Sequence, residues 1–120
     1  DSHQQITDAP LLSQQAIHFF RDCYARTAAD FLDPYFSPLL AANLSNLPPA
    51  LVMTVACDPL HDEGEAYARR LQASQVVVNF VNYADMIHAF LNFPRFCHRV
   101  PEAIDTIGRY IKEQATAVIV

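Results

Sequence analysis

Two apolar runs with a helical segment between them constrain this chain more than any other feature. The runs are 51–56 and 76–83, and the segment joining them reads CDPLHDEGEAYARRLQASQ. The first run shows no polar alternation, which is the pattern of a strand covered on both faces. Strand, helix and strand in this order favour a right-handed parallel crossover, which brings both strand carboxyl ends to one edge of the sheet. An acid, Asp58, closes the first run, and a histidine, His88, lies just past the second. Sites in α/β sheets form outside the carboxyl ends of the strands. The pair therefore reads as two thirds of a nucleophile–histidine–acid triad. Asp58 would fix the tautomer of His88, and His88 would act as general base. The alternatives are a turn acid shaped by Pro59 and a histidine packed for structure.

The remaining elements follow from local signals. Residues 1–10 read as a polar lead-in. Ser13 caps an expected helix over 14–24, with Ala16, Ile17, Phe20 and Tyr24 close to one face. From Thr27 to Pro49, four prolines and two asparagines mark an irregular connection, with a short helical turn expected at 38–43. Asp62 is a good cap for the crossover helix, and Glu65 three residues on completes a capping box. That helix should run to about Ala73, with Tyr67 and Leu71 inward. A last helix opens at Pro101 and should bury Ala103, Ile104, Ile107, Tyr110 and Ile111. Phe90, Phe93 and Phe96 read as core, and Cys57 as a small buried residue. The closing TAVIV is β-prone and carries no assignment.

Composition removes several functions. The net charge is −5 with only eight Lys and Arg, which argues against nucleic acid or an anionic membrane as partner. No apolar run is long enough to span a bilayer. The polar, acidic DSHQQITD is the wrong chemistry for a signal peptide. Gly64 and Gly108 are the only glycines, which excludes a phosphate-cradling loop and a G-x-S-x-G elbow. Ser2, Ser13, Ser37, Ser45 and Ser74 all lack flanking glycines. Cys23, Cys57 and Cys97 form neither a disulfide framework nor a zinc spacing, so reduced thiols and a cytoplasmic location are expected. His3, His18, His61 and His98 show no metal-ligand spacing. Asp62, Glu63 and Asp85 compete with Asp58 for the acid role, but capping, first-turn charge and turn formation explain them better.

At this point LPPALVMTVACDPLHDEGEAYARRL, followed by YADMIHAFLNF, resembles the carboxyl-terminal part of the hormone-sensitive-lipase family of α/β-hydrolase esterases. The upstream DPYFSPL resembles the family segment before the penultimate strand, and the likeness covers roughly residues 13–110. The resemblance implies that Asp58 is the triad acid and His88 the triad base. It implies a partial α/β-hydrolase fold in which 51–56 and 76–83 are the last two parallel strands, with flanking helices. Residues 1–120 would then be the carboxyl-terminal portion of one domain. Of these, 1–49 would form a helix and irregular connection, and 50–120 the strand–helix–strand–helix unit that carries the acid and histidine. Asp85 and Ala89 stand where the family usually has glycine, and Ser74–Gln75 lack the glycine that ends its crossover helix. Ala89 is expected to push the backbone of His88 out of place, because alanine disfavours positive φ.

The implied function is carboxylic ester hydrolysis without metal or organic cofactor, on a small-molecule acyl ester in the complete enzyme. The chain alone is expected to be inactive, since the nucleophile serine and oxyanion loop lie on other segments. Its expected partner is the missing amino-terminal part of the hydrolase, or a second copy paired through the exposed strand edge. The rivals are a truncated, non-catalytic α/β module that binds a partner through that edge, and a small module whose Asp and His serve structure alone.

Overall fold

The computed structural model describes residues 1–117. Its centre is a two-stranded parallel sheet, β1 (Ala50–Cys57) beside β2 (Val78–Ile87). Four helices surround it: α1 (Ser2–Gln5), α2 (Gln14–Tyr24), α3 (His61–Ala73) and α4 (Val100–Ala117). Short 3-10 turns occupy Ala28–Leu32, Pro38–Leu40 and Phe90–Asn92. Strand residues alternate between two apolar clusters, as the period of two requires. Met53, Val55, Val81 and Tyr83 pack with Phe90, Val100 and Ala103 from α4 and the turn before it. Ala50, Val52 and Val78 pack on the opposite side with Tyr67 and Leu71 from α3 and Leu44 from the connection before β1. Each sheet face is therefore overlaid by a helix, but most of β1 is only half-buried and half of β2 stays exposed.

α3 approaches β1 closely because residue 64 is glycine. A Cβ built there would lie 2.8 Å from Thr54 Cγ2, well inside van der Waals contact. Two bonds from Arg70 then hold the irregular connection to α3, one to the Leu39 carbonyl and one to the Ala41 carbonyl. The exit of α3 is a Schellman turn. Val76 N–H reaches back to Leu71 O at 3.0 Å, with Gln75 between them at φ 65. Leu71 and Val76 share one apolar cluster, the contact that accompanies this motif. Val76 thereby belongs to the turn, and β2 starts two residues later than the sequence indicates. The strand also runs past Tyr83 to Ile87.

Several expectations change. The helix opens at His61, one residue before Asp62, so Leu60 is the N-cap and offers no side-chain oxygen. Asp62 does not cap, and Glu65 bonds Arg69 instead at 2.6 Å. The polar lead-in is an ordered helix, α1, docked on α3. Ser13 does cap α2, its Oγ accepting Ala16 N–H at 3.1 Å. Nevertheless α2 buries no residue, and Phe20 and Tyr24 stay 60% and 74% exposed. On α4, Ala103 is fully buried, while Ile104 and Ile111 are exposed. Phe90 is core but Phe96 is exposed, and so is Cys57. Of TAVIV, Thr116 and Ala117 extend α4, and 118–120 lie outside the described residues.

Candidate active site

The register of the sheet sets the site. Regular pairing runs from Ala50↔Val78 to Val55↔Tyr83, then shifts so that Cys57 sits opposite Ile87. The next residues are Asp58 and His88, and both leave the sheet at the same edge. His88 Nδ1 lies 2.8 Å from Asp58 Oδ2. A carboxylate can only accept, so the Nδ1 position carries the proton and donates it. This tautomer leaves Nε2 as the ring's acceptor, and no hydrogen bond to Nε2 forms among the described residues. The second carboxylate oxygen, Oδ1, accepts Leu60 N–H at 2.9 Å.

Exposure divides the pair. The Asp58 side chain is 12% exposed and that of His88 34%. The acid thus sits in the wall while one edge of the imidazole faces a cleft. That cleft, about 810 Å³, is bounded by α2, the Ser37–Leu39 stretch, Met53 and Thr54 of β1, and the start of α3. Ser37 lines it too, but its hydroxyl donates to Phe31 O at 2.9 Å. No described hydroxyl is hydrogen-bonded to His88.

Ala89, next to the histidine, has φ 57 and ψ 22. The expected displacement by alanine does not occur. The chain holds the left-handed conformation that glycine favours, and Asn92 N–H closes the following turn on Ala89 O at 2.9 Å. Upstream of the histidine, Asp85 accepts from Arg99 Nε at 3.0 Å and lies 3.2 Å from His98 Nε2. The Arg99 guanidinium holds the Asp85 carboxyl below its ordinary range, with His98 adding to the effect. Asp85 therefore ties the end of β2 to the start of α4 and does not face His88 as an acid.

The other competing acids are engaged elsewhere. Asp62 lies below the usual carboxylate range, chiefly through its bond with His61 and then through Ser2 N–H. Glu63 lies 3.4 Å from His3. Among the described residues no group of three or more His, Cys, Asp or Glu is placed to hold a metal. No described helix is long and apolar enough to cross a membrane. Sequence reasoning missed Ser2, which is buried against the turn after Asp58. Its hydrogen bonds span about half the chain, so no local pattern signals them.

Known proteins share this arrangement of elements. Residues 1–92 match the family model described as the alpha/beta hydrolase fold. Ethyl acetate hydrolase of Pseudomonas putida is 39% identical over 103 residues, covering 86% of this chain and 32% of that protein. Hormone-sensitive lipase of Ictidomys tridecemlineatus is 35% identical over 75 residues, covering 61% of this chain and 10% of the lipase. The solved esterase of Pyrobaculum calidifontis superposes with a TM-score of 0.88 at 39% identity, covering 95% of this chain and 38% of that one. The chain thus spans about a third of the length of the first of these relatives. With a parallel strand pair, a crossover helix and this sequence likeness, the chain belongs to the α/β-hydrolase family, as part of a member of its hormone-sensitive-lipase group.

Proposed function

We propose that residues 1–120 form the carboxyl-terminal portion of a single α/β-hydrolase domain and supply the acid and base of a serine esterase. The observation that carries this reading is the 2.8 Å contact between Asp58 Oδ2 and His88 Nδ1 at the edge where both strands end. A serine on another segment of the complete enzyme attacks the ester carbonyl. His88 Nε2 takes the hydroxyl proton as the Oγ–C bond forms, then delivers it to the departing alcohol. Water enters next, and the same nitrogen takes its proton as the water oxygen bonds the acyl carbon. That proton then returns to the serine oxygen as the acyl–serine bond breaks and the acid leaves. Asp58 holds the ring in the required tautomer and stabilises the imidazolium formed in each half of the cycle. Short to medium acyl esters are the proposed substrates. The mechanism needs no metal or organic cofactor.

Alone, the chain is inert towards esters in this reading. None of its five serines has flanking glycines, and Ser37, which lines the cleft, spends its proton on a backbone carbonyl. Incubating the purified chain with a chromogenic short-chain ester tests this point. No turnover above buffer is expected. Turnover that His88→Ala abolishes would show a nucleophile within the chain and overturn the proposed division of the site.

A further inference from the structure

The turn between Asp58 and α3 satisfies only part of its own backbone, with His61 N–H on Asp58 O at 3.1 Å and Leu60 N–H on Asp58 Oδ1. Helix α3 begins after Leu60, which has no side-chain oxygen to accept the free N–H groups of the first turn. Pro59, fully buried, has no N–H and presents its carbonyl to the interior. Ser2, remote in sequence and 5% exposed, meets these demands with one hydroxyl. Its Oγ–H donates to Pro59 O at 2.6 Å, and the same oxygen accepts Asp62 N–H at 3.1 Å. Ser2 N–H in turn donates to Asp62 Oδ2 at 2.8 Å. The segment 59–62 is thus bracketed on both sides of the residue whose N–H orients Asp58, because Leu60 N–H occupies Oδ1 and leaves Oδ2 for His88.

From this geometry we infer that Ser2 is a positioning residue for the Asp58–His88 pair, acting as a helix cap supplied from a distant part of the chain. The inference rests on the reading of Asp58 and His88 as an acid–base pair. Ser2 touches neither side chain. It holds the Pro59–Asp62 turn, the turn holds Leu60 N–H, and that N–H sets which carboxylate oxygen faces the imidazole. α1 is kept in place for this task by Gln14 Nε2, which donates to His3 O at 3.2 Å. The bond from Ser2 Oγ to Pro59 O is buried, so losing it is felt in full at the turn.

Exchange of the His88 Nδ1–H proton with water, followed by NMR in the full chain with labelled histidine, is the test. Ser2→Ala is expected to speed this exchange about tenfold, the factor expected from loss of one buried hydrogen bond. Backbone amides in the middle of β1 and β2 should change far less, and Ser2→Thr, which keeps the hydroxyl, should restore slow exchange. Unchanged exchange in Ser2→Ala, while Asp58→Asn removes the protected signal, would overturn the role of Ser2 and leave the pair intact. An equal acceleration at His88 and at the strand amides, unfolding included, would mark Ser2 as merely structural and overturn it too. A His88 signal absent from the unaltered chain, or indifferent to Asp58→Asn, would reject the pair itself.

Discussion

Ala89 and Gln75 both carry side chains at φ values near +60, where an L-residue is strained and glycine is not. Ala89→Gly and Gln75→Gly are each expected to stabilise the chain by about 0.5–1 kcal/mol, since relief of strain exceeds the added freedom of the unfolded state. Urea denaturation midpoints measure both. Gly64 presents the opposite case. Gly64→Ala drives a methyl against Thr54 Cγ2, an overpacking cost of about 1–3 kcal/mol. The intrinsic helix gain of alanine is about 1 kcal/mol, so a net loss is expected. Thr54→Ser removes the opposing methyl, and the double variant should recover most of that loss in a thermal melt. At the site itself the residues play distinct parts. Asp58 is walled in and fixed by two hydrogen bonds, whereas His88 keeps one edge towards the cleft. That asymmetry suits a group that orients beside a group that moves protons.

At the scale of elements, what could be read in advance depended on how far apart the partners lie in sequence. The crossover, its two strands and the Asp58–His88 meeting were legible, because a strand–helix–strand order fixes hand and edge together. The start of β2 was not, because Val76 looks like strand by residue type but is taken by the turn that ends α3. The cap of α3 was misread for a related reason. A local rule assigns it to Asp62, while the actual oxygen comes from Ser2 across the fold. α2 followed its local signal at Ser13 but not its apolar stripe, where Ala16 and Ile17 are only half-buried and Phe20 and Tyr24 stay exposed. Ser13→Ala should accordingly cost about 1 kcal/mol in far-UV circular dichroism melts. The end of β2 and the start of α4 are joined through Asp85 and Arg99. Asp85 is depressed below the ordinary 3.8 by that guanidinium. Its contribution to stability is therefore present above the ordinary carboxylate pKa and is lost as pH falls through the lower folded value. Asp85→Asn should lower the urea midpoint near neutrality and shrink the further drop on acidification below the carboxylate range. Equal acid sensitivity in both proteins would contradict this role.

As a whole molecule the chain is an open slab. Its radius of gyration is 15.9 Å and its extents are 45 × 40 × 23 Å, against about 13.6 Å for a closed domain of this length. The outer flank of β1 has no strand partner among the described residues. An unpaired strand edge, on a chain that also exposes aromatic side chains such as Phe20 and Tyr24, invites pairing with another chain. In size-exclusion chromatography the isolated chain is expected to run as a concentration-dependent oligomer, and a clean monomer at all concentrations would contradict this.

Asp58 and His88, proposed as the acid and base of an esterase site, can be tested by kinetics in a complete enzyme. Residues 1–120 would replace the matching third of Pseudomonas putida ethyl acetate hydrolase, and kcat/KM would be measured on a chromogenic short-chain ester. The hybrid should be active, with His88→Ala lowering turnover about 10⁶-fold and Asp58→Asn about 10⁴-fold. An active hybrid that keeps its rate after either substitution would contradict the claim.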